Sequence, residues 1–180
     1  NKAKFSIGDQ LINLKMETNY PWNGKINLSV DPLKPMDLSL HIRIPGWTSG
    51  EMMPGGLYHY AENKSPSEEK VLLKVNGIRI RNINREKGFD IIQRNWEKGD
   101  KVERVLPMQV KLVAGNDEIE SIKGKLAITR GPLIYCIEQT DNKAFFENAA
   151  GEYLHSLGLQ EKYRDDILNG VMTINGDAFL

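Results

Sequence analysis

The sequence has few residues of the kinds that bind metals or form disulfides. It contains one cysteine, Cys136, and three histidines, His41, His59 and His155. One cysteine excludes a disulfide framework, a CxxC redox pair and a multi-cysteine metal site within this chain. The histidines fall in three separate segments without ligand spacing. Cys136 lies in the apolar run 133–137, which predicts a buried and unreactive thiol.

The sequence also lacks net charge and long apolar runs. It has 24 basic and 24 acidic residues, so its formal net charge is zero. Nucleic acids and anionic membranes select basic proteins, so we expect neither as the main partner. No run approaches the roughly 18 apolar residues of a membrane span, and residues 1–5 form no signal peptide. The first residue is Asn1, which we interpret as the start of a processed protein or of a piece of a longer one.

Recognisable catalytic motifs are absent from the 180 residues: there is no Walker loop, GxGxxG, GxSxG or HExxH. Two acids at a suitable separation could form a glycosidase pair. The candidates are Glu103, Glu118, Glu120, Glu138, Asp165 and Asp166. Neighbouring residues of a strand point to opposite faces, which disfavours the last two as a pair. Solvated surface acids are the favoured interpretation, so we predict no catalytic, cofactor-binding or metal-binding residue.

Apolar and polar residues alternate along most of the chain, which predicts β-strands. The clearest alternation runs over 38–44, and 71–75 meets 78–80 across Asn76-Gly77, a pair typical of type I′ hairpins. A second hairpin is predicted across 96–100. Short strands at regular spacing favour an all-β, antiparallel β-sandwich with little or no helix. The expected core residues are Leu38, Leu40, Ile42, Ile44, Leu73, Val75, Ile91, Leu126, Ile128, Leu133 and Tyr135.

The turn-forming segments indicate how the chain is divided into domains. Residues 46–70 are rich in glycine and proline and predict a long surface loop. Residues 151–168 could form a helix or a strand, and Gly158 favours the strand. We predict a β-sandwich domain over 1–142, followed at 143–180 by an extension or the start of further β structure.

Three aromatic residues near turns, Trp47, Tyr58 and Tyr60, are candidates for sugar contact, because sugars stack on exposed rings. The alternative, that these rings cap the sandwich or pack on a neighbouring domain, is favoured. Arg104 occupies a position where alternation predicts an apolar residue. It could extend to the surface, mark a bulge or face another domain.

A set of phrases in order resembles one known family over about residues 10–142. The phrases are Thr18–Gly24 (TNYPWNG), Leu40–Trp47 (LHIRIPGW), Lys74–Gly77 (KVNG), Gly88–Ile92 (GFDII) with Arg94 and Trp96, Gly99-Asp100, Leu106–Met108 (LPM), Gly124–Ala127 (GKLA), Arg130–Glu138 (RGPLIYCIE) and Asp141-Asn142. Residues 168–171 continue the likeness more loosely. The sequence thus resembles the C-terminal part of glycoside hydrolase family 127, the β-L-arabinofuranosidase-like proteins. The segment 48–69 is longer than the turn associated with many members.

The resemblance implies an accessory role rather than catalysis. Family members carry an N-terminal (α/α)₆ barrel whose active site holds zinc, bound by cysteines and a glutamate, with one cysteine as the proposed nucleophile. None of these positions maps onto this chain, and Cys136 belongs to the Arg-Gly-Pro phrase instead. The implied partner is the catalytic domain of the same parent chain, and the implied location is extracytoplasmic in a bacterium. Glycan contact and a homo-oligomer are further expectations.

Two other functions stay open at this point. The chain could be a carbohydrate-binding module that uses Trp47, Tyr58 and Tyr60. It could also be a self-contained glycosidase with a carboxylate pair, which requires one acid with a raised pKa. A sandwich fold does not discriminate among these functions.

Overall fold

A computed structural model describes residues 1–50, 55–61, 71–140, 142–143, 147 and 155–179. Residues 51–54 and 62–70 of the predicted 46–70 loop, and most of residues 141–154, lie outside the described residues. The strands are β1 Lys2–Ile7, β2 Gln10–Thr18, β3 Lys25–Pro32, β4 Met36–Arg43, β5 Tyr58–Tyr60, β6 Leu72–Val75, β7 Ile78–Arg79, β8 Asn84–Glu86, β9 Phe89–Trp96, β10 Asp100–Val105, β11 Val110–Gly115, β12 Leu126–Arg130, β13 Leu133–Tyr135, β14 His155–Arg164 and β15 Val171–Phe179. The prediction of an all-β, antiparallel protein is confirmed.

The first of two compact units, unit 1, comprises Asn1–Ser49 and Ser67–Pro107. It contains a six-stranded sheet in the order β1-β2-β3-β10-β6-β7 and a three-stranded sheet in the order β4-β9-β8. The two sheets share one core, because the apolar positions of both converge on it. Its buried members are Val30, Leu73, Val75, Ile92, Trp96 and Val102. Unit 1 is therefore a β-sandwich.

The second unit, unit 2, comprises Gly50–Pro66 and Met108–Leu180. It contains a four-stranded sheet, β13-β12-β11-β5, and the long hairpin β14-β15. The strand interpretation of the region after Gly158 is confirmed by β14. The observed division at Pro107 differs from the predicted boundary at residue 142. Similar strand patterns on both sides of Pro107 give no composition change that would mark the boundary in the sequence.

Of the two predicted hairpins, the one at Asn76-Gly77 is confirmed and the one at 96–100 was wrong. Asn76 and Gly77 both have positive φ, 51° and 79°, and join the paired strands β6 and β7, as a type I′ turn requires. Residues 96–100 do not close a hairpin, because β9 and β10 belong to different sheets. The Asp100 carboxylate accepts a hydrogen bond from the Glu97 amide at 3.0 Å. Turn-forming residues of this kind serve a crossover between sheets as well as a hairpin.

The predicted core is correct in unit 1 except at Ile44 and on β9. Ile44 follows the end of β4, is half-buried and lines a surface cleft instead of joining the core. Leu38, Leu40 and Ile42 pack against the core, which includes Leu73 and Val75. On β9 the inward residue is Ile92, 8% exposed, and not the predicted Ile91. The alternation is obscured because the inward face of β9 also carries a charged residue, Asp90, which is fully buried.

In unit 2, the core prediction failed at one residue. Leu126 is 38% exposed at the start of β12, where it pairs with Ala114 near the end of β11. Ile128, Leu133 and Tyr135 are half-buried. A strand end offers less cover than its middle, which periodicity alone does not show.

Candidate functional site

A buried ion pair lies between the two sheets of unit 1. Arg104 on β10 and Asp90 on β9 both point inward, with side chains that are 3% and 0% exposed. The Arg104 Nη2 donates to Asp90 Oδ2 at 3.2 Å, and its Nη1 donates to the Arg43 carbonyl at 2.9 Å. One interpretation of the sequence was that Arg104 extends to the surface, and this interpretation was wrong. The charge of Arg104 is compensated within the sandwich.

Asp90 also binds a second arginine. Arg85 Nε donates to Asp90 Oδ1 at 2.8 Å, so each carboxylate oxygen of Asp90 accepts from a guanidinium. Burial lowers the pKa of Arg104; Asp90 opposes this effect, and Arg85 adds to it. Two arginines against one carboxylate leave a formal charge of +1. The buried Arg104 Nε has no hydrogen-bond partner among the described residues.

Sequence reasoning identified Arg104 but missed Asp90 and Arg85. The signal that could have found Asp90 is an acid on the inward face of a strand whose other inward residues include Ile92 and Trp96. An inward acid and an inward base in one sandwich are expected to pair, because an isolated buried charge is strongly unfavourable.

A cleft of about 420 Å³ lies beside Arg85 in unit 1. Its described lining consists of three arginines, four apolar residues and one threonine: Arg79, Arg81, Arg85, Ile44, Val71, Ile80, Ile83 and Thr48. A second cleft, of about 530 Å³, is lined by residues 81–85 and so shares Arg81, Ile83 and Arg85 with the first. Taken together, the described lining residues of the two clefts include three arginines and no acid.

The three aromatic candidates belong to two different units. Trp47 lies in a short 3₁₀ helix, Gly46–Ser49, of unit 1, where it is half-buried and hydrogen-bonded to the Tyr20 side chain. Tyr58 and Tyr60 lie on β5, at the edge of the four-stranded sheet of unit 2. Tyr58 is 38% exposed. The Lys111 ammonium lies 4.3 Å from the centroid of the Tyr60 ring and occupies one of its faces.

The candidate acids are paired with bases or exposed. Glu103 accepts a hydrogen bond from Lys74 Nζ at 2.7 Å, and this contact lowers its pKa. Asp166 accepts two hydrogen bonds from Arg164, which lower its pKa to about 2. Three further acids, Glu118, Glu120 and Glu138, are exposed. Every described carboxylate with a shifted pKa has a lowered one, whereas a general acid needs a raised pKa.

Cys136 is exposed, so the prediction that it is buried was wrong. Strand β13 ends at Tyr135, and the apolar run that motivated the prediction continues past the strand end into uncovered chain. His41 and His59 are also exposed. Among the described residues, no group of three or more His, Cys, Asp or Glu side chains could hold a metal ion. No helix in the described ranges is long and apolar enough to cross a membrane.

Comparison with known proteins gives consistent matches to one family. The family model of the β-L-arabinofuranosidase GH127 middle domain matches residues 1–108, and that of the glycoside hydrolase family 127 C-terminal domain matches residues 110–170. A non-reducing end β-L-arabinofuranosidase of Bifidobacterium longum subsp. longum is 29% identical over 179 residues. That match covers 97% of this chain and 24% of the relative.

Solved structures of the same family also match. A GH127 β-arabinofuranosidase has a TM-score of 0.81 and 31% identity, and the match covers 98% of this chain and 27% of the other. A GH127 β-L-arabinofuranosidase from Geobacillus stearothermophilus T6 has a TM-score of 0.78 and 29% identity, with coverage of 98% and 25%. The chain thus spans about a quarter of the length of these relatives. The boundary between the two family models, at residues 108–110, agrees with the division between units 1 and 2.

Proposed function

Because the chain belongs to glycoside hydrolase family 127, we propose that it is the non-catalytic accessory β region of a β-L-arabinofuranosidase-like enzyme. In this proposal it supports a separate N-terminal (α/α)₆ catalytic barrel of the same parent chain. One observation carries the proposal: the chain matches a middle and a C-terminal domain model and covers only 24% of its Bifidobacterium relative.

The zinc centre that the resemblance implies does not fit the residues of this chain. That centre needs several cysteines, whereas the sequence has one. Cys136 is exposed on unit 2, and no described acid or histidine cluster stands beside it as a ligand set. No catalytic step is therefore assigned to a metal on this chain.

The proposal is tested by hydrolysis of a chromogenic β-L-arabinofuranoside. The purified 180-residue chain is expected to give no turnover above the buffer rate, while the complete protein that carries this segment hydrolyses the substrate. Deletion of the segment from the complete protein is expected to lower its thermal midpoint and its yield of folded enzyme. Turnover by the 180 residues alone would refute the non-catalytic role, and an unaffected deletion variant would refute the supporting role.

A carbohydrate-binding module is the second candidate, favoured by one observation. Tyr58 presents an exposed ring on the edge strand β5, a position that a sugar ring can reach. Its neighbour Tyr60 is less suited, because Lys111 already occupies one face of that ring. Trp47 belongs to unit 1 and is half-buried, so its own contribution needs a separate variant.

This second candidate is tested by an NMR titration that measures saturable binding of plant-derived glycans. If the chain is a carbohydrate-binding module, Tyr58→Ala is expected to abolish the binding. The matched control is Tyr163→Ala, which removes another exposed tyrosine of unit 2, 52% exposed on β14. Absence of binding, or an equal effect of the two variants, would eliminate the candidate.

A further inference from the structure

The cleft at Arg79, Arg81 and Arg85 has the chemistry of a binding site for an anion. Its described lining residues carry three guanidinium groups and no carboxylate. Arg79 and Arg81 are exposed and form no ion pair in the described part of the chain. Guanidinium groups bind carboxylate and phosphate through paired N–H donors, and several of them in one concave site concentrate positive potential.

The position of Arg85 is fixed by its contact with the buried Asp90. Its Nε donates to Asp90 Oδ1, and Asp90 is fully buried and fixed on its other side by Arg104. This contact leaves the two terminal nitrogens of Arg85, whose side chain is 56% exposed, for a ligand. A donor oriented in advance loses less conformational entropy when it binds.

The contact between Arg85 and Asp90 does not cancel the positive charge at the cleft. Asp90 compensates one of its two arginines, so the group Arg85–Asp90–Arg104 keeps one positive charge. The buried Arg104 Nε also lacks a hydrogen-bond partner within the described part of the chain. An anion in the cleft would complete the compensation of this group.

The apolar part of the cleft restricts the ligand further. Ile80 and Ile83 pack against the core of unit 1 and also line the cleft, so they give it a fixed apolar surface. A volume of about 420 Å³ is within the usual range of small-molecule sites and suits a monosaccharide or disaccharide. An inorganic ion would leave the apolar surface uncovered, whereas the carbon skeleton of a sugar acid covers it.

We propose that this cleft binds a carboxylate-bearing saccharide of one or two units, such as a uronate, through Arg79, Arg81 and Arg85. The carboxylate contacts the arginines, and the sugar ring lies on Ile80 and Ile83. This binding site goes beyond the accessory role and does not depend on it.

Titration of the ¹⁵N-labelled 180-residue chain tests the proposal. Galacturonate is expected to shift the backbone resonances of 79–85 and Thr48 saturably. Galactose, which carries a hydroxymethyl group in place of the carboxylate, is expected to leave them unchanged at equal concentration. Absence of shifts with galacturonate, or equal shifts with galactose, would overturn the proposal.

Variants identify the responsible side chains. Arg79→Gln and Arg81→Gln are each expected to weaken galacturonate binding by about tenfold or more, as the loss of a charge-assisted hydrogen bond predicts. Lys34→Gln makes the same charge change at an exposed residue outside the cleft lining and is expected to leave the affinity within twofold. Equal effects of the three variants would overturn the assignment. Inorganic phosphate that binds as tightly as galacturonate would overturn the saccharide part of it.

Discussion

The two units bury their apolar side chains to different extents. Apart from proline, nine apolar side chains are buried among the described residues; eight belong to unit 1, and Val113 belongs to unit 2. Strongly exposed apolar side chains occur in both units, Leu33 at 71% and Ile78 at 72% in unit 1 and Ile134 at 70% and Leu168 at 85% in unit 2, so the difference lies in how much each unit buries. Unit 1 closes a core between two facing sheets, whereas the described strands of unit 2 enclose little. We therefore expect the stability of the chain to be concentrated in unit 1.

One ion pair from each unit shows the two extremes of burial. The Arg104–Asp90 pair of unit 1 is buried, with side chains 3% and 0% exposed, whereas the Arg164–Asp166 pair of unit 2 is 39% and 58% exposed. Exposed pairs contribute little to stability because solvent screens them. A buried pair is costly to break, because the remaining partner is left as an unpaired charge. Three predictions test the differences between the units and one tests a close backbone approach within unit 1, in order from the largest expected effect to the smallest.

Trp96→Ala is expected to destabilise unit 1 most. The Trp96 side chain is fully buried, and its Nε1 donates to the Leu38 carbonyl at 3.1 Å. Its removal should lower the free energy of unfolding by about 3–5 kcal/mol, as for other buried tryptophans. The comparison in unit 2 is Val113→Ala, with an expected loss of about 2 kcal/mol. Urea unfolding measures both losses, and a larger loss at Val113 would contradict the assignment of the main core to unit 1.

Asp90→Ala is expected to lower the free energy of unfolding by about 3 kcal/mol, because Arg104 is then buried without a counter-charge. The double variant Asp90→Ala/Arg104→Met removes both charges and should regain most of this loss. A double-mutant cycle by urea unfolding measures the coupling between the two residues. Additive losses would show that the 3.2 Å contact between them has no energetic weight.

The buried pair also shows how far the sequence predicts this molecule. Alternation over 38–44 predicts β4 and its inward residues, since one face is apolar and the other is polar. The same rule fails on β9, where the inward Asp90 interrupts the apolar face and Ile91 replaces Ile92 as the expected core residue. Arg104 is visible as an exception on β10, but its partner depends on the pairing of sheets, which no local pattern specifies. The cleft lined by Arg79, Arg81 and Arg85 was not predicted either, because it too depends on how separate strands and turns come together.

The turns make a related point about local signals. Asn76-Gly77 predicts its hairpin because both residues tolerate positive φ. Lys87 and Gly88 form a similar turn, with φ of 50° and 80° between β8 and β9. Lysine rarely adopts this conformation, so composition gives no warning of that hairpin.

Gly24→Ala is expected to destabilise unit 1 by about 1–3 kcal/mol, because a Cβ at this position would overlap the backbone carbonyl of Leu106. The two backbones are also joined by a hydrogen bond of 2.9 Å from the Leu106 amide to the Gly24 carbonyl. The control is Gly46→Ala, where a Cβ meets no atom within 4 Å and φ is not positive. Thermal unfolding compares the two, and an equal change in midpoint would contradict the steric explanation.

The smallest expected effect concerns Asp166, on the turn between β14 and β15. Two hydrogen bonds from Arg164 lower the pKa of Asp166 to about 2. A carboxyl whose pKa is lower in the folded than in the unfolded chain stabilises the fold above its unfolded pKa, and this contribution is lost as the pH falls toward 2. Because both side chains are exposed, the effect on unfolding should be slight, and the direct measurement is the NMR titration of the Asp166 carboxyl carbon.

Arg164→Gln is expected to return the Asp166 midpoint toward 3.8, the ordinary value for aspartate. Lys98→Gln removes one positive charge from an exposed turn of unit 1 and should leave the midpoint unchanged. A midpoint near 2 that persists in Arg164→Gln would assign the shift to something other than this pair. If the same variant also cost as much stability as Asp90→Ala, the contrast between the buried pair of unit 1 and the exposed pair of unit 2 would fail, because solvent would not be screening the exposed one.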